Sequence, residues 1–387
     1  MRLVPPVAVP FGVTRIFLAA LRRSAAGEAG FAEMLASRIG ARGATLFGSG
    51  RAAVAAALRS LANEGRDEVV VPAYTCWSVP AAVVRCGLRV RLADVDPMTL
   101  DYERSSLLAQ PTGRMSAAIG AHLFARTSDL TWLVDYFRKH DPRVRVIEDA
   151  AQAWPDRSSR EVSAVVLSFG RGKPLPLGGG GALVRFGGDG APASAVRGGG
   201  WSGALSLAAT SVLQIPALFG LLEPLPFLEI GSTAYDPEFP ADAPFRAWQD
   251  RLGRSVLAEL EALTETRTRN ASALAQAVES SRRWRLPAAA RMPGPLRLPA
   301  LAPSRPARDE VIARLRRLGV GASAMYPGTL ADIPALREHL ANPDEPIPGA
   351  NALADTLLTL PCHPGLGSRG LIRVRESFER ASRDVGA

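Results

Sequence analysis

The chain has 387 residues, 47% hydrophobic and 21% charged, which excludes a disordered chain and suits two packed domains better than one simple core. Its formal charge is +9, but the cations are scattered singly and in pairs, without the aromatic-interleaved basic runs of a single-strand binder, so no nucleic-acid partner is expected. Cys76, Cys86 and Cys362, with four dispersed histidines, show neither metal spacing nor a disulfide framework, so no metal is expected and a reducing, cytoplasmic setting is.

The first apolar stretch is interrupted by three prolines and Arg15, and no export signal is read from it. Residues 29–41 predict a helix that stops at a glycine turn. FGSGRAAVAAALRSLA (47–62) predicts a second glycine turn that opens an Ala-rich helix. Strand-like runs follow at 68–72, 88–95, 116–124, 143–151, 163–169 and 180–186, with helical segments such as SVPAAVVRCG and TSDLTWLVDYFRKH between them. Apolar strands alternating with amphipathic helices predict an α/β domain with a mainly parallel sheet. Residues 203–231 are apolar, but three prolines, Glu223 and Glu229 interrupt them. Helices in a subunit interface are the favoured reading there, and membrane contact the less favoured one. A long helix is expected over 243–281, then a Pro-rich strand region (286–306), a helix at ARDEVIARLRRLG and the segment LLTLPCHPGL. The expected division is a large domain at 1–242 and a smaller C-terminal α+β domain at 243–387.

Three short stretches carry chemistry. In IEDAAQA a strand ends on Asp149, at the sheet edge where α/β folds bind ligands. That carboxylate could face a cofactor's ring nitrogen, a metal or a helix end. In SFGRGKPLPLGGGG, Ser168 ends the next strand and Lys173 follows in a glycine-rich loop. Only Lys139 and Lys173 are lysines among 46 basic residues. Arginine stays protonated and cannot form an imine, whereas lysine can. In GSGRAAVAAAL, Gly48, Ser49 and Gly50 precede a helix whose N-terminal N–H groups suit a phosphate. A phosphate cup, a buried anion and an imine-forming lysine are together what pyridoxal 5′-phosphate (PLP) requires.

The order of these stretches resembles the DegT/DnrJ/StrS-type sugar aminotransferases of PLP fold type I. VVVPAYT, DVDPMTL, EDAAQA, Ser168-Phe-x-x-x-Lys173, Tyr326-Pro327 and LPCHP carry the resemblance, from about residue 29 to the end. It implies a large domain with a seven-stranded, mainly parallel sheet and a smaller C-terminal domain. It makes Lys173 the Schiff-base lysine, Asp149 the partner of the ring nitrogen and Gln152 a neighbour of the phenolic oxygen. Ser49, Gly50, Arg51 and Ser168 would hold the phosphate. Tyr326 and His363 would face substrate. Cys76 falls where the family stacks an aromatic ring, with Tyr74 or Trp77 as substitutes. Gly179 replaces a usual Glu, and the family's Asn-x-Arg-Met stretch is missing. The implied activity moves an amino group, from glutamate, to a keto sugar on a nucleotide for polysaccharide, glycolipid or antibiotic synthesis. The implied assembly is a homodimer. The alternatives are another PLP enzyme, such as the family's dehydratase branch with His for the lysine, or a non-catalytic PLP-binding regulator.

Overall fold

A computed structural model describes residues 4–21, 29–125, 129–187, 196–198, 201–213, 234–326, 328–383 and 385. The apolar runs form seven strands: β1 (Gly43–Phe47), β2 (Glu68–Pro72), β3 (Arg89–Ala93), β4 (Met115–Ala121), β5 (Arg145–Asp149), β6 (Ala164–Ser168) and β7 (Gly181–Arg185). They make one sheet in the order β1-β7-β6-β5-β4-β2-β3. Strand β7 runs antiparallel to β1 and β6, and the other pairs are parallel. Strands β2 and β4 are buried along their whole length. Both faces are covered, so these strands read as continuous apolar runs and not as alternating ones.

Period-two alternation sends neighbouring residues into different cores. Val69 and Val71 face a core shared with Val54, Leu58 and Val83 of the helices Gly50–Ser60 and Ser78–Arg85. Val70 faces the opposite core with Phe31, Leu133 and Phe137, and with Trp248 and Leu252 of the helix Ala247–Val256. A two-residue pair, β8 (Val196–Arg197) and β9 (Phe245–Arg246), lies apart from the large sheet. Strands β10 (Arg297–Leu301) and β11 (Leu357–Pro361) pair antiparallel. Their Leu298, Leu358 and Leu360 join Leu274, Val278, Val311, Leu315 and Phe378 in a third core. Val4 enters that core and pairs with Val320, so the N-terminal segment starts on the smaller unit.

The single helix expected over 243–281 is two helices, Ala247–Val256 and Leu260–Ser280, with a 3-10 turn at Leu257–Glu259. Arg15 explains the break: it donates to the Ser255 carbonyl and pairs with Glu259. Of the apolar stretch 203–231, only 203–213 is described, within the helix Trp201–Leu213, and the rest lies outside the described residues. Among the described residues no helix is long and apolar enough to cross a membrane.

Reversal of β7 decides where the site forms. Gly181 stands opposite Phe47 on one side and Ser168 on the other. This places the 48–50 turn beside the end of β6. A Cβ on Gly181 would lie 2.6 Å from Gly50 Cα and 2.7 Å from the Leu167 carbonyl oxygen, all of it backbone that cannot swing aside. Gly181→Ala is therefore expected to cost about 1–3 kcal/mol, as overpacking does. Gly187→Ala, with nothing within 4 Å of its added Cβ, is the control. Thermal unfolding of the two variants checks this, and equal midpoints would refute the steric account.

Candidate active site

Strands β4, β5 and β6 end side by side, and their last residues open into one cavity of about 420 Å³. Its lining includes Ser49, Gly50, Arg51, Cys76, Asp149, Gln152, Ser168 and Lys173, which the sequence placed in a single site. Asp149 ends β5 and pairs in register with Ala121, the last residue of β4. Its Oδ1 accepts from the Ala151 N–H at 2.9 Å. Burial pushes its carboxyl above the usual carboxylate range, and the Lys173 and His122 charges pull it back down.

The cup lies on the other side of the lysine. Ser49 caps the helix Gly50–Ser60 by accepting from the Ala52 N–H. Gly50 has to be glycine, because a Cβ there would sit 2.9 Å from Ser168 Oγ. The helix N-terminus and both hydroxyls thus crowd one spot, an arrangement suited to a phosphate. Arg51 is held at its rim by Asp236 at 3.2 Å and lies 5.1 Å over the ring of Phe239. Orphaned groups fit an occupant as well. Thr75 Oγ1 and both ring nitrogens of His122 are buried without a hydrogen-bond partner among the described residues. Glu148 Oε1 lies 3.5 Å from His122 Nε2.

Four of the expected site residues lie elsewhere. Trp77 lines a separate polar hollow with Arg305, Asp332, Asn351 and Asp355. Tyr326 sits behind the cavity, where its hydroxyl accepts from Gln152 Nε2 at 3.0 Å. Gln152 Oε1 in turn accepts from the Phe124 N–H, whose residue is held at φ +67°. Tyr74 packs edge-on against Tyr326 and donates to the Ala324 carbonyl, so it offers no face to the cavity. His363 is buried on the N-terminal segment, its Nε2 3.0 Å from the Pro5 carbonyl oxygen.

Among the described lining residues, the only ring belongs to His122, which the sequence reading missed. The signal was present: His122 follows the end of β4 as Asp149 ends β5. Asp236 was missed too, and no pattern in YDPEFP marks it.

The fold and this edge site define an α/β protein of PLP fold type I. The chain belongs to the DegT/DnrJ/EryC1/StrS aminotransferase family, which it matches over residues 22–194 and 246–379. It is 32% identical over 162 residues to L-glutamine:scyllo-inosose aminotransferase of Streptomyces griseus, covering 41% of this chain and 38% of that protein. It is 32% identical over 123 residues to GDP-perosamine synthase of Caulobacter vibrioides, covering 32% and 33%. The chain thus spans about two fifths or less of the length of the curated relatives it matches. The crystal structure of NtdA from Bacillus subtilis with bound cofactor PMP superimposes with a TM-score of 0.76 over 99% of this chain and 86% of that one, at 17% identity.

Two pH effects follow. Asp149 has a raised folded value, so its ionised form is less favourable in the folded protein than in the unfolded chain. Folding is therefore penalised progressively as pH rises above 3.8 toward that raised value, and Asn lacks the penalty. Cofactor-free Asp149→Asn should unfold at a higher temperature than wild type at pH 7.5 and match it near pH 3.5. A difference that does not change with pH would refute this account. His363 behaves oppositely on acidification. Burial lowers it from 6.5 to about 4. The unfolded chain gains a proton first as pH falls from 6.5 to 4, and about 3 kcal/mol is lost. His363→Gln keeps an N–H for Pro5 and should show a shallower loss in denaturant titrations across that window. An unchanged slope would overturn the assignment.

Proposed function

We propose that this protein is a PLP-dependent aminotransferase that moves an amino group from an amino acid, glutamate or glutamine, to a keto sugar carried on a nucleotide. The observation that carries the reading is the convergence of Lys173, Asp149 and the Ser49–Gly50–Ser168 cup on one cavity. PLP, when bound, supplies a ring that withdraws electrons from the carbon bearing the amino group.

In this reading the protein's own groups do the rest. Ser49, Gly50, Ser168 and the helix N-terminus hold the phosphate, and Arg51 adds a cation at the rim. Asp149, held by the Ala151 N–H, keeps a proton on the ring nitrogen. Gln152 is fixed at both ends of its amide by Phe124 and Tyr326, which orients it beside the ring oxygen. Lys173 holds the cofactor and, once released, carries a proton as general base and acid. A lysine here favours amino transfer over the dehydratase branch, which carries His at that position.

The substrate class is supported by the relatives' names, glutamine-dependent for the inosose enzyme and nucleotide-linked for the perosamine synthase. The reading includes a cytoplasmic homodimer. Free Cys76, Cys86 and Cys362 suit a reducing compartment. Exposed Leu18, Leu21 and Leu205 lie on two helices that pack together, and a second copy would cover them.

Purified protein incubated with PLP and then reduced with borohydride should carry the adduct on the Lys173 peptide. Lys173→Arg should abolish both the adduct and the release of 2-oxoglutarate from glutamate in the presence of a keto sugar nucleotide. An adduct on Lys139, or turnover in Lys173→Arg, would overturn the reading.

A further inference from the structure

Lys173 stands in the middle of a loop whose ends are tied together. Phe169 donates to the Gly180 carbonyl and accepts from the N–H groups of Leu177 and Gly179. Within the loop, Lys173 N–H reaches only the Gly170 carbonyl at 3.3 Å. Gln249 Nε2 holds the Leu177 carbonyl at the far end of the loop, and the middle is held by Arg267, on the helix Leu260–Ser280. Its Nη2 donates to the Pro174 carbonyl at 3.1 Å and to the Lys173 carbonyl at 3.4 Å.

Arg267 is only 4% exposed. Burial lowers its guanidinium to about 10, and no carboxylate pairs with it among the described residues. An unpaired buried cation is costly, and an apolar residue would fill the space without that cost. The loop carbonyls are what its charge meets. A guanidinium presents several donors in a fixed plane, so one side chain can hold two adjacent carbonyls.

The same helix face closes a ring of contacts around the lysine. Three residues on, Asn270 Nδ2 donates to the carbonyls of Cys362 and His363, each at 3.2 Å. His363 then holds the Pro5 carbonyl. Two residues further along that segment, Val7 covers Gly172, where a Cβ would lie 2.7 Å from Val7 Cγ1. Gly172 itself has φ +70°. The loop, the helix, the 362–363 turn and the N-terminal segment therefore brace one another, with Lys173 at the point they enclose.

We infer that Arg267 is a positioning residue for Lys173: it fixes the lysine's backbone, so that detachment and return of the amine involve the side chain alone. The inference rests on Lys173 being the cofactor lysine. Without Arg267 the buried Pro174 carbonyl and the half-buried Lys173 carbonyl lose a donor, and the loop can shift by enough to misplace the amine.

The test compares Arg267→Met, Arg267→Lys and, as a control, Arg297→Met. Arg297 is a second arginine that burial lowers to about 10, but it donates to Ser323 and not to the loop. In the full chain without cofactor, amide hydrogen exchange of residues 170–178 should quicken about tenfold in Arg267→Met and stay unchanged in Arg297→Met. With PLP added, borohydride should still fix the adduct on Lys173 in Arg267→Met. The rate of attachment and kcat with glutamate should fall about tenfold or more, with KM nearly constant. Arg267→Lys, which keeps the charge but not the fork, should recover part of each loss. Loop exchange and kcat within twofold of wild type in folded Arg267→Met would overturn the inference. If that variant does not fold, wild-type behaviour in Arg267→Lys would do so. Failure of wild type to form the Lys173 adduct would refute the cofactor reading instead, and the exchange data would still decide the role of Arg267.

Discussion

A carboxylate out of water at the end of a parallel strand is the constraint on which the rest of this structure depends. Asp149 is 7% exposed, and an ionised carboxylate at that depth needs cations close by. Lys173 supplies one from the loop after β6, and the His122 ring stands by from the end of β4. Neither is near Asp149 in sequence. Parallel strands bring their carboxyl ends to one edge, so the sheet order decides which side chains can meet there. The reversed strand β7 then delivers the glycine turn to the same edge, because Gly181 lies between Phe47 and Ser168. A cofactor that carries a phosphate at one end and a basic ring nitrogen at the other matches that spacing of charge.

The smaller unit takes part through its backbone contacts. Its core is separate from the two cores of the large sheet, yet Arg267 and Val7 reach the lysine loop, and Asn270 and His363 tie the helix, the 362–363 turn and the N-terminal segment together behind it. His363 illustrates how a motif residue can be read correctly as a member of a pattern and wrongly as a site contact. It is neutral and buried, and its work is to hold the chain at Pro5. Tyr326 is similar. It meets the site from behind, where its hydroxyl accepts one N–H of Gln152.

The strands were legible because their composition is one-sided: EVVVP is β2 residue for residue, β5 to β7 fall inside the runs that mark them, and β4 starts one residue before its run. Asp149, Ser168 and the Ser49–Gly50 turn were legible because each sits where a strand or helix ends, and ends are what sequence patterns mark; Lys173 was legible as a rare lysine in a glycine-rich loop. What escaped was placed by tertiary contact. The helix break at Leu257 follows from Arg15, about 240 residues earlier in the chain. The inward ring is His122 and not Tyr74 or Trp77, since the 74–77 segment turns Tyr74 onto Tyr326 and leaves Thr75 and Cys76 facing the cavity. A motif fixes the order of residues along a segment, but the side each faces depends on what packs against it.

The division of labour between lysine and arginine carries the last step. The chain has two lysines among 46 basic residues. Lys139 is exposed at the end of the helix Thr131–His140, where any cation would serve the carboxyl end of a helix. Lys173 lines the cavity, and in the proposed reading arginine could not replace it there, since a guanidinium is neither deprotonated nor able to form an imine. The converse holds for arginine in the interior. Arg66 binds the Met115 carbonyl and Asp141 together, and Arg267 binds two loop carbonyls. Each needs several donors at fixed angles, which an ammonium on a flexible stem does not provide. The two side chains therefore meet the loop from opposite sides: the lysine faces the cavity from the loop itself, and the arginine grips the loop backbone from the helix Leu260–Ser280.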